Sequence, residues 1–210
     1  MNRYKEDCND QKNCMQKEFF NQRACEWDKN TKHDVDKIEY ILSVLHLSGS
    51  EKILDIGTGT GILIPFYLKH LSSGTITAID FSEKMIEIAS SKFPRQKYPQ
   101  VEFIISDVYD LNNSSQFDIV MCYSCFPHFK DKPLAISILK KTLKPQGKLV
   151  VAHSNSRDKI NTIHMESGNE ISRDILPAIS VVKNMIHDAE LEPVFERDDG
   201  DFFIMIAKKK

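Results

Sequence analysis

The stretch ILDIGTGTGILIPFYLKH, residues 53–70, decides the fold class of this 210-residue chain. It places Gly57, Gly59 and Gly61 between a β-rich run and an amphipathic run, which is typical of a strand, a tight turn and a helix. The dinucleotide fingerprint G-x-G-x-x-G needs its third glycine one residue later, where this chain has Ile62. The spacing argues against a dinucleotide and leaves two alternatives: another nucleoside-bearing ligand, or a turn that binds nothing.

Strand-like and helix-like segments alternate along the chain. The runs KILDIG, TITAID, VEFIISD, FDIVMCYS and GKLVVAHS are predicted strands, and EPVFER-DDGD-FFIMIA is a predicted hairpin. Helices are predicted over 62–71 and 82–93, and in PLAISILKKTL and RDILPAISVVKNMIHDA, the last with Pro177 in its first turns or at a kink. HSNSRDKINTIH is interpreted as a polar connection. The alternation predicts a single-domain, Rossmann-like, doubly wound α/β fold: a seven-stranded, mainly parallel sheet with an antiparallel C-terminal hairpin strand.

The N-terminal part is predicted as two pieces. Residues 1–17 are polar and are predicted to be a mobile tail. Residues 18–48 carry Trp27 and the pair Phe19 and Phe20, which is too much aromatic surface for a free tail. This segment is therefore predicted to dock on the domain as a helical flap, or lid.

Composition restricts the function classes. With 41% hydrophobic and 28% charged residues, the chain is typical of a globular protein. The formal net charge of −2 favours neither nucleic acid nor an anionic membrane, and no apolar run is long enough to span a bilayer. The N-terminus is too polar for a secretory signal, and five cysteines argue against a disulfide framework. We therefore expect a cytoplasmic protein.

Four further motifs accompany the glycine turn in a fixed order. ILDIGTGTG is followed by TAIDFS, FIISDVYDL, and FDIVMCYSCFPHF with LKKTLKPQGKLVVAHS. Over roughly residues 19–208 the sequence resembles class I S-adenosylmethionine-dependent methyltransferases of the small-molecule, ubiquinone/menaquinone-methylase-like kind. The resemblance implies that residues 49–210 form the domain that binds S-adenosylmethionine, with S-adenosylhomocysteine as product and a small molecule as methyl acceptor.

The resemblance implies a set of cofactor-binding residues in the glycine turn and at strand ends: Asp55, Gly57, Thr58, Gly59, Thr60, Gly61, Asp80, Phe81, Met85, Asp107, Val108 and Tyr123. Asp80 would accept both ribose hydroxyls, although its charge would also favour the helix that follows. Asp55, with help from Tyr123, would serve the ammonium end. The bare glycine backbone would approach the methionine portion.

Four of these residues would contact the adenine. Phe81 and Met85 would pack on its faces, with core packing as the alternative for Met85. Asp107 would accept the adenine amino hydrogen while the Val108 amide donates to the ring, and a strand-ending turn is the alternative for Asp107.

Three histidines follow predicted strand ends and are candidate general bases: His128, His153 and His164. An imidazole titrates near neutral pH and can take a proton from an acceptor. The alternatives are structural histidines or a three-histidine zinc site, but the chain lacks a compact ligand pair such as H-x-x-x-H, so no metal is predicted.

Acceptor contacts are predicted from the flap and from the connection after the fifth strand. Phe20, Trp27 and His33 would face the acceptor, with a purely structural arm as the alternative. Arg157 would hold a carboxylate or phosphate, or pair with acidic groups at the surface.

The leading hypothesis is an enzyme that moves a methyl group by in-line displacement, with a histidine as general base. The alternative is a non-catalytic S-adenosylmethionine sensor or scaffold. A nucleic-acid acceptor is disfavoured because CYSCFPHF lacks the Pro-Pro-aromatic motif of amino-group methylases.

Overall fold

The computed structural model describes residues 11–112, 115–167 and 171–210. Its strands are β1 (Lys52–Ile56), β2 (Thr75–Asp80), β3 (Val101–Ile105), β4 (Phe117–Tyr123), β5 (Leu143–His153), β6 (Leu191–Asp198) and β7 (Phe203–Lys209). They form one sheet in the order β3-β2-β1-β4-β5-β7-β6. Strands β1 to β5 pair in parallel, and β7 pairs antiparallel with β5 and β6. The predicted seven-stranded, mainly parallel sheet with its C-terminal hairpin is confirmed.

Helices cover both faces of this sheet: α1 (Gln11–Arg23), α2 (Trp27–Asn30), α3 (Val35–Ser43), α4 (Ile64–His70), α5 (Glu83–Lys92), α6 (Lys132–Thr142), α7 (Arg157–Glu166) and α8 (Ile179–Asp188). Apolar side chains of α3 and α4 pack in a cluster on one face, and those of α6 and α8 pack in a second cluster on the other. The strand order reverses between β1 and β4, which opens a crevice at their carboxyl ends.

Side-chain caps fix where several helices begin. The Asp34 carboxylate accepts from the first amides of α3, and the Ser82 hydroxyl accepts from the Met85 amide in α5. Asp131 and Ser156 cap α6 and α7 in the same way. These caps orient the chain directly after β2 and β5, where the candidate site lies.

The structure corrects three element predictions. The segment interpreted as a polar connection after β5 contains α7, because Ser156 caps it and its buried side faces the domain. Helix α8 begins only at Ile179, after Pro177, whose missing amide hydrogen and fixed φ suit the segment before a helix. Strand β5 begins at Leu143, ahead of the predicted run GKLVVAHS, and it therefore includes Pro145.

The N-terminal helix begins inside the segment that was predicted as a mobile tail. Residues 11–17 belong to α1, while residues 1–10 lie outside the described part of the chain. Lys17 forms an ion pair with Glu83, and the Asn21 side chain accepts from the Ser82 hydroxyl at 2.6 Å. These contacts hold α1 against the start of α5.

The described cysteines differ in state. Cys25, Cys122 and Cys125 are free thiols, whereas Cys14 is disulfide-bonded, which the sequence reasoning did not expect. Separately, none of the described helices has the length and apolar character needed to cross a bilayer.

Candidate functional site

A cavity of about 930 Å³ lies at the carboxyl ends of the parallel strands. Most of the residues predicted from sequence line it: Phe20, Trp27, His33, Gly57, Thr58, Gly59, Thr60, Asp80, Phe81, Met85, Asp107, Val108, Tyr123, His128, His153 and His164. Three predicted residues are not part of its wall: Asp55, Gly61 and Arg157. The strand ends, the glycine turn and the N-terminal helices thus enclose one space.

Two glycines of the turn have positive φ for different reasons. Gly57 has φ +63°, and a Cβ there would lie 2.6 Å from Cβ of Cys125. Gly59 has φ +56°, and a Cβ there would meet no atom within 4 Å. The bare backbone at Gly57 therefore serves packing, whereas at Gly59 it faces open space in the cavity wall.

Asp80 joins the glycine turn to the end of β2. Its Oδ2 accepts from the Gly59 amide and its Oδ1 from the Ser82 amide, each at 2.9 Å. Burial, together with a smaller effect of the charge of Asp107, raises the pKa of this carboxyl to about 6. Two backbone donors therefore fix the orientation of this carboxylate in the cavity wall.

Asp55 does not face the cavity, contrary to the prediction that it would serve the ammonium end. Its Oδ2 accepts from the Thr58 hydroxyl at 2.7 Å and its Oδ1 from the Tyr67 hydroxyl at 3.3 Å. Burial raises its pKa to about 7. Both of its oxygens accept from hydroxyls of the domain, and the residue lies outside the cavity wall. The carboxyl therefore stabilises the glycine turn from within the domain.

The third strand end contributes Asp107. Its Oδ1 accepts from the Tyr109 amide at 3.2 Å, and its Oδ2 accepts from the Asn13 side chain of α1 at 3.1 Å. Nearby, Met85 lines the cavity and also packs in an apolar cluster with Phe19 and other residues of the N-terminal segment. Cofactor contact and core packing, the two alternatives for Met85, are therefore compatible.

Polar groups at the end of β4 form a short hydrogen-bonded chain. The Tyr123 hydroxyl lies 2.9 Å from Nδ1 of His33 and 2.8 Å from the Ser154 hydroxyl. Burial raises the pKa of Tyr123 and lowers that of His33. Both groups are therefore uncharged at neutral pH, and they link the N-terminal segment to the strands.

His128 is held by a buried carboxylate that sequence reasoning missed. Its Nδ1 lies 2.9 Å from Oδ2 of Asp174, and the Gln16 side chain donates to the same oxygen at 2.7 Å. His164 directs its own Nδ1 at the backbone carbonyl of Asp174. Local sequence patterns carry no signal for these contacts, because Gln16 and Asp174 are separated by 158 positions.

His153 lies in the cavity wall but is almost completely buried. Its side chain is 1% exposed, and neither ring nitrogen has a hydrogen-bond partner among the described residues. Burial, together with smaller effects of the neighbouring His128 and His164, lowers its pKa to about 3. The prediction that His153 serves as a base is therefore not supported, because so weak a base holds a proton poorly.

Arg157 lies away from the cavity. Its guanidinium pairs with Asp158 at 2.8 Å and lies 4.0 Å from Asp198. The surface-pairing alternative describes this geometry, and a role in binding an acceptor is not supported. Gly61 is also outside the wall, where a Cβ would lie 3.2 Å from the Phe93 ring.

The N-terminal segment is fastened to the glycine turn through Asp28. Its Oδ1 accepts from the Thr60 hydroxyl at 2.5 Å, and its Oδ2 pairs with Lys92 at 2.8 Å. Farther inside, the ring of Phe20 lies 5.1 Å from that of His128 and 5.8 Å from that of Phe81. Helix α1 and the residues after it therefore cover the cavity with aromatic side chains.

The three histidines do not form a metal centre in the structure. Within residues 11–112, 115–167 and 171–210, no group of three or more His, Cys, Asp or Glu side chains is arranged to hold a metal ion. The rings of His128 and His164 are 5.0 Å apart, and both direct Nδ1 toward Asp174. Nδ1 is engaged in both residues, which leaves Nε2 of His128 and of His164 as the ring nitrogens that can contact a bound molecule.

Residues 47–199 match a family model described as a methyltransferase domain. The chain belongs to this methyltransferase family. The resemblance to methyltransferases that was derived from the motifs is confirmed, and the match covers strands β1 to β6, the glycine turn and all three histidines.

Individual relatives agree with this family. The methyltransferase is 36% identical over 98 residues to a malonyl-[acyl-carrier protein] O-methyltransferase of Priestia megaterium, covering 47% of this chain and 35% of the relative. It is 26% identical over 157 residues to a ubiquinone biosynthesis O-methyltransferase of Xanthomonas oryzae, covering 74% of this chain and 64% of the relative. The chain thus spans between about a third and two-thirds of the length of these curated relatives.

A solved structure shares the fold. It is the 1,6-didemethyltoxoflavin-N1-methyltransferase of Burkholderia thailandensis, with bound 1,6-didemethyltoxoflavin and S-adenosylhomocysteine. The two chains superpose with a TM-score of 0.72 at 16% identity, over 94% of this methyltransferase and 88% of the other. At this identity the likeness concerns the fold alone.

Proposed function

We propose that this methyltransferase binds S-adenosylmethionine in the cavity and transfers its methyl group to a small-molecule acceptor, with S-adenosylhomocysteine as product. The observation that carries the proposal is the joined pair of Gly59 and Asp80, where open space above a bare backbone meets an oriented carboxylate. The family match and the position at the strand-order reversal support it.

The residues of the wall fit this cofactor. Asp80 is an acceptor for ribose hydroxyls, and Asp107 with Val108 offers a carboxylate and an amide for the adenine edge. Phe81 and Met85 offer apolar surface for its faces. The open space at Gly59 suits the methionine portion, which needs close approach to the backbone.

The acceptor end of the cavity is built around His128. When bound, S-adenosylmethionine supplies a methyl group on a sulfonium, ready for in-line displacement. His128 receives the proton of the acceptor's nucleophilic atom at Nε2, because Nδ1 is engaged by Asp174. The two relatives described above are named O-methyltransferases, which favours an oxygen nucleophile.

We also propose that residues 18–48, together with α1, act as the lid over both ligands, and that residues 49–210 form the methyltransferase domain. Asp28, Phe20 and His33 connect this lid to the glycine turn, to His128 and to Tyr123, respectively. Closing this lid would exclude water from the reacting atoms. A cytoplasmic location, the lack of a nucleic-acid partner and the mobility of the first residues stay predictions.

Calorimetry and isotope transfer test the proposal. The protein should bind both S-adenosylmethionine and S-adenosylhomocysteine with affinities in the micromolar range, and a methyl-labelled cofactor incubated with a metabolite extract should yield a labelled small molecule. Absence of binding to both compounds would overturn the proposal. Binding without any labelled product would favour a non-catalytic sensor or scaffold instead.

A further inference from the structure

We propose that Asp174 and Gln16 are positioning residues that hold His128 with its ring proton on Nδ1, so that Nε2 is the proton acceptor of the cavity. The catalytic role in this inference rests on the proposed function, but the tautomer of His128 can be measured without any acceptor. Neither residue belongs to the motifs that mark the cofactor site.

The carboxylate of Asp174 dictates the tautomer. An ionised carboxylate has only acceptor positions, so the group that approaches its Oδ2 at 2.9 Å from His128 must be an N–H. The Gln16 amide nitrogen donates to the same oxygen at 2.7 Å. Asp174 is buried, so that these two donors meet it in an environment where such bonds are strong.

Helix α7 fixes the segment that carries Asp174. The Asn161 side chain donates to the Leu176 carbonyl at 3.1 Å and accepts from the Leu176 amide at 2.8 Å. Nδ1 of His164 donates to the backbone carbonyl of Asp174, which precedes Leu176 by two residues. The backbone on which the carboxylate stands is therefore tied to α7 at two points, which restricts how Asp174 can move relative to His128.

The lid takes part in this arrangement through Gln16. Gln16 lies in α1, and its amide nitrogen also approaches the His128 carbonyl at 3.4 Å. The same helix places Phe20 against the His128 ring. Coverage of the cavity and orientation of the base are thus provided by one helix, so that the base is fully held only when α1 is docked.

Other charged or titratable groups surround His128. His164 of α7 and His153 of β5 interact electrostatically with it. Lys132 of α6 is near His164 and donates to the Pro127 and Phe129 carbonyls, each at 2.9 Å. None of these groups is a carboxylate, and among the residues that the structure describes Asp174 is the acceptor in contact with Nδ1 of His128.

Nitrogen-15 NMR of the histidine rings in the full chain tests the proposal. His128 is assigned by the disappearance of its signals in His128→Gln, and its tautomer is read at pH 7.5. We expect the proton on Nδ1 in the wild type. Both donors share Oδ2 of Asp174, so Asp174→Ala removes the acceptor of the His128 Nδ1–H group, and the Nδ1–H population should fall.

Two α1 variants separate positioning from general loosening of the lid. Gln16→Ala should reduce the Nδ1–H population, though less than Asp174→Ala does. Asn13→Ala removes the hydrogen bond of α1 to Asp107 and should leave the tautomer unchanged. A wild-type His128 with its proton on Nε2 overturns the proposal even if a variant fails to fold, and so does an unchanged tautomer in a folded Asp174→Ala.

This result is separable from the proposed function. Asp174 is not part of the cavity wall, so Asp174→Ala should bind S-adenosylhomocysteine within about twofold of the wild type. Loss of cofactor binding by the wild type would contradict the proposed function while leaving the tautomer measurement valid. A failed tautomer prediction with normal cofactor binding would reject only the positioning roles.

Discussion

The Gly59 amide donates to Oδ2 of Asp80 at 2.9 Å, so that the turn after β1 and the end of β2 are joined directly. The second oxygen of Asp80 accepts from Ser82, the residue that caps α5. One carboxylate therefore connects the glycine turn, the end of β2 and the start of α5 around the open space at Gly59. Its charge and its geometry are the features on which the proposed cofactor site depends.

Asp80→Asn should weaken the binding of S-adenosylhomocysteine by about 10- to 100-fold, because hydrogen bonds to a charged group are worth about 1.5–3 kcal/mol. Isothermal titration calorimetry measures the effect. Asp118→Asn is the matched control, since Asp118 pairs with Lys144 at the start of β4, away from the cavity, and should bind normally. Equal affinities for both variants and the wild type would contradict the role of Asp80.

Cofactor affinity should fall as the pH is lowered below about 6. The pKa of Asp80 is raised to about 6, so its carboxylate is the dominant form above that pH and is lost below it. If the ligand prefers the carboxylate, the apparent affinity at pH 5 should be about tenfold weaker than at pH 7.5. The affinity of Asp80→Asn should not depend on pH in this range. A wild-type affinity that is the same or stronger at pH 5 would contradict the prediction.

Gly59→Ala should mainly weaken ligand binding, whereas Gly57→Ala should mainly lower the stability of the fold. At Gly59 the new Cβ meets no atom within 4 Å, so the cost is the left-handed backbone alone, about 1–2 kcal/mol. At Gly57 the Cβ would lie 2.6 Å from Cβ of Cys125, which adds overpacking and a larger loss of stability.

Urea unfolding and calorimetry separate these two effects. Gly59→Ala should remain folded but bind S-adenosylhomocysteine at least about tenfold more weakly, because its methyl group occupies the space proposed for the ligand. Wild-type affinity in a folded Gly59→Ala would mean that no ligand approaches the backbone there.

His153 should make the protein sensitive to acid. Its pKa is about 3 in the folded protein and 6.5 is its ordinary value, so between these values the unfolded chain binds a proton that the folded protein does not. The contribution of the neutral His153 to the free energy of unfolding is therefore complete above pH 6.5. It decreases as the pH falls, by about 2 kcal/mol at pH 5.

His153→Phe should remove this part of the pH dependence. The free energy of unfolding, measured with urea at pH 7.5 and pH 5, should differ between the two pH values by about 2 kcal/mol less than in the wild type. His187→Gln, at an exposed position of α8, is the control and should behave as the wild type. An unchanged pH difference in His153→Phe would show that the imidazole is not held neutral in the folded state.

The sequence carries the information that is local in the chain. Alternating strand and helix patterns predicted the sheet, and Ser82 and Asp34 were identifiable as helix starts because a cap acts within three residues. The three glycines of the turn predicted a bare backbone at the first strand end, which the positive φ values at Gly57 and Gly59 explain.

Contacts between distant segments could not be predicted in this way. Asp55 has the same strand-end position that made it a ligand candidate, but the Tyr67 hydroxyl of the next helix engages it. Gln16 and Asp174 come together only because α1 folds back over the cavity. Helix α7 was missed because its polar residues, which resemble those of a loop, are the exposed side of a helix.

The most direct measurement is a crystal structure with S-adenosylhomocysteine bound. We expect the ribose hydroxyls to lie within hydrogen-bond distance of the Asp80 carboxylate, with the amino-acid portion next to Gly59 and the sulfur directed toward His128. A ligand bound elsewhere, or an Asp80 carboxylate turned away from the sugar, would contradict this expectation.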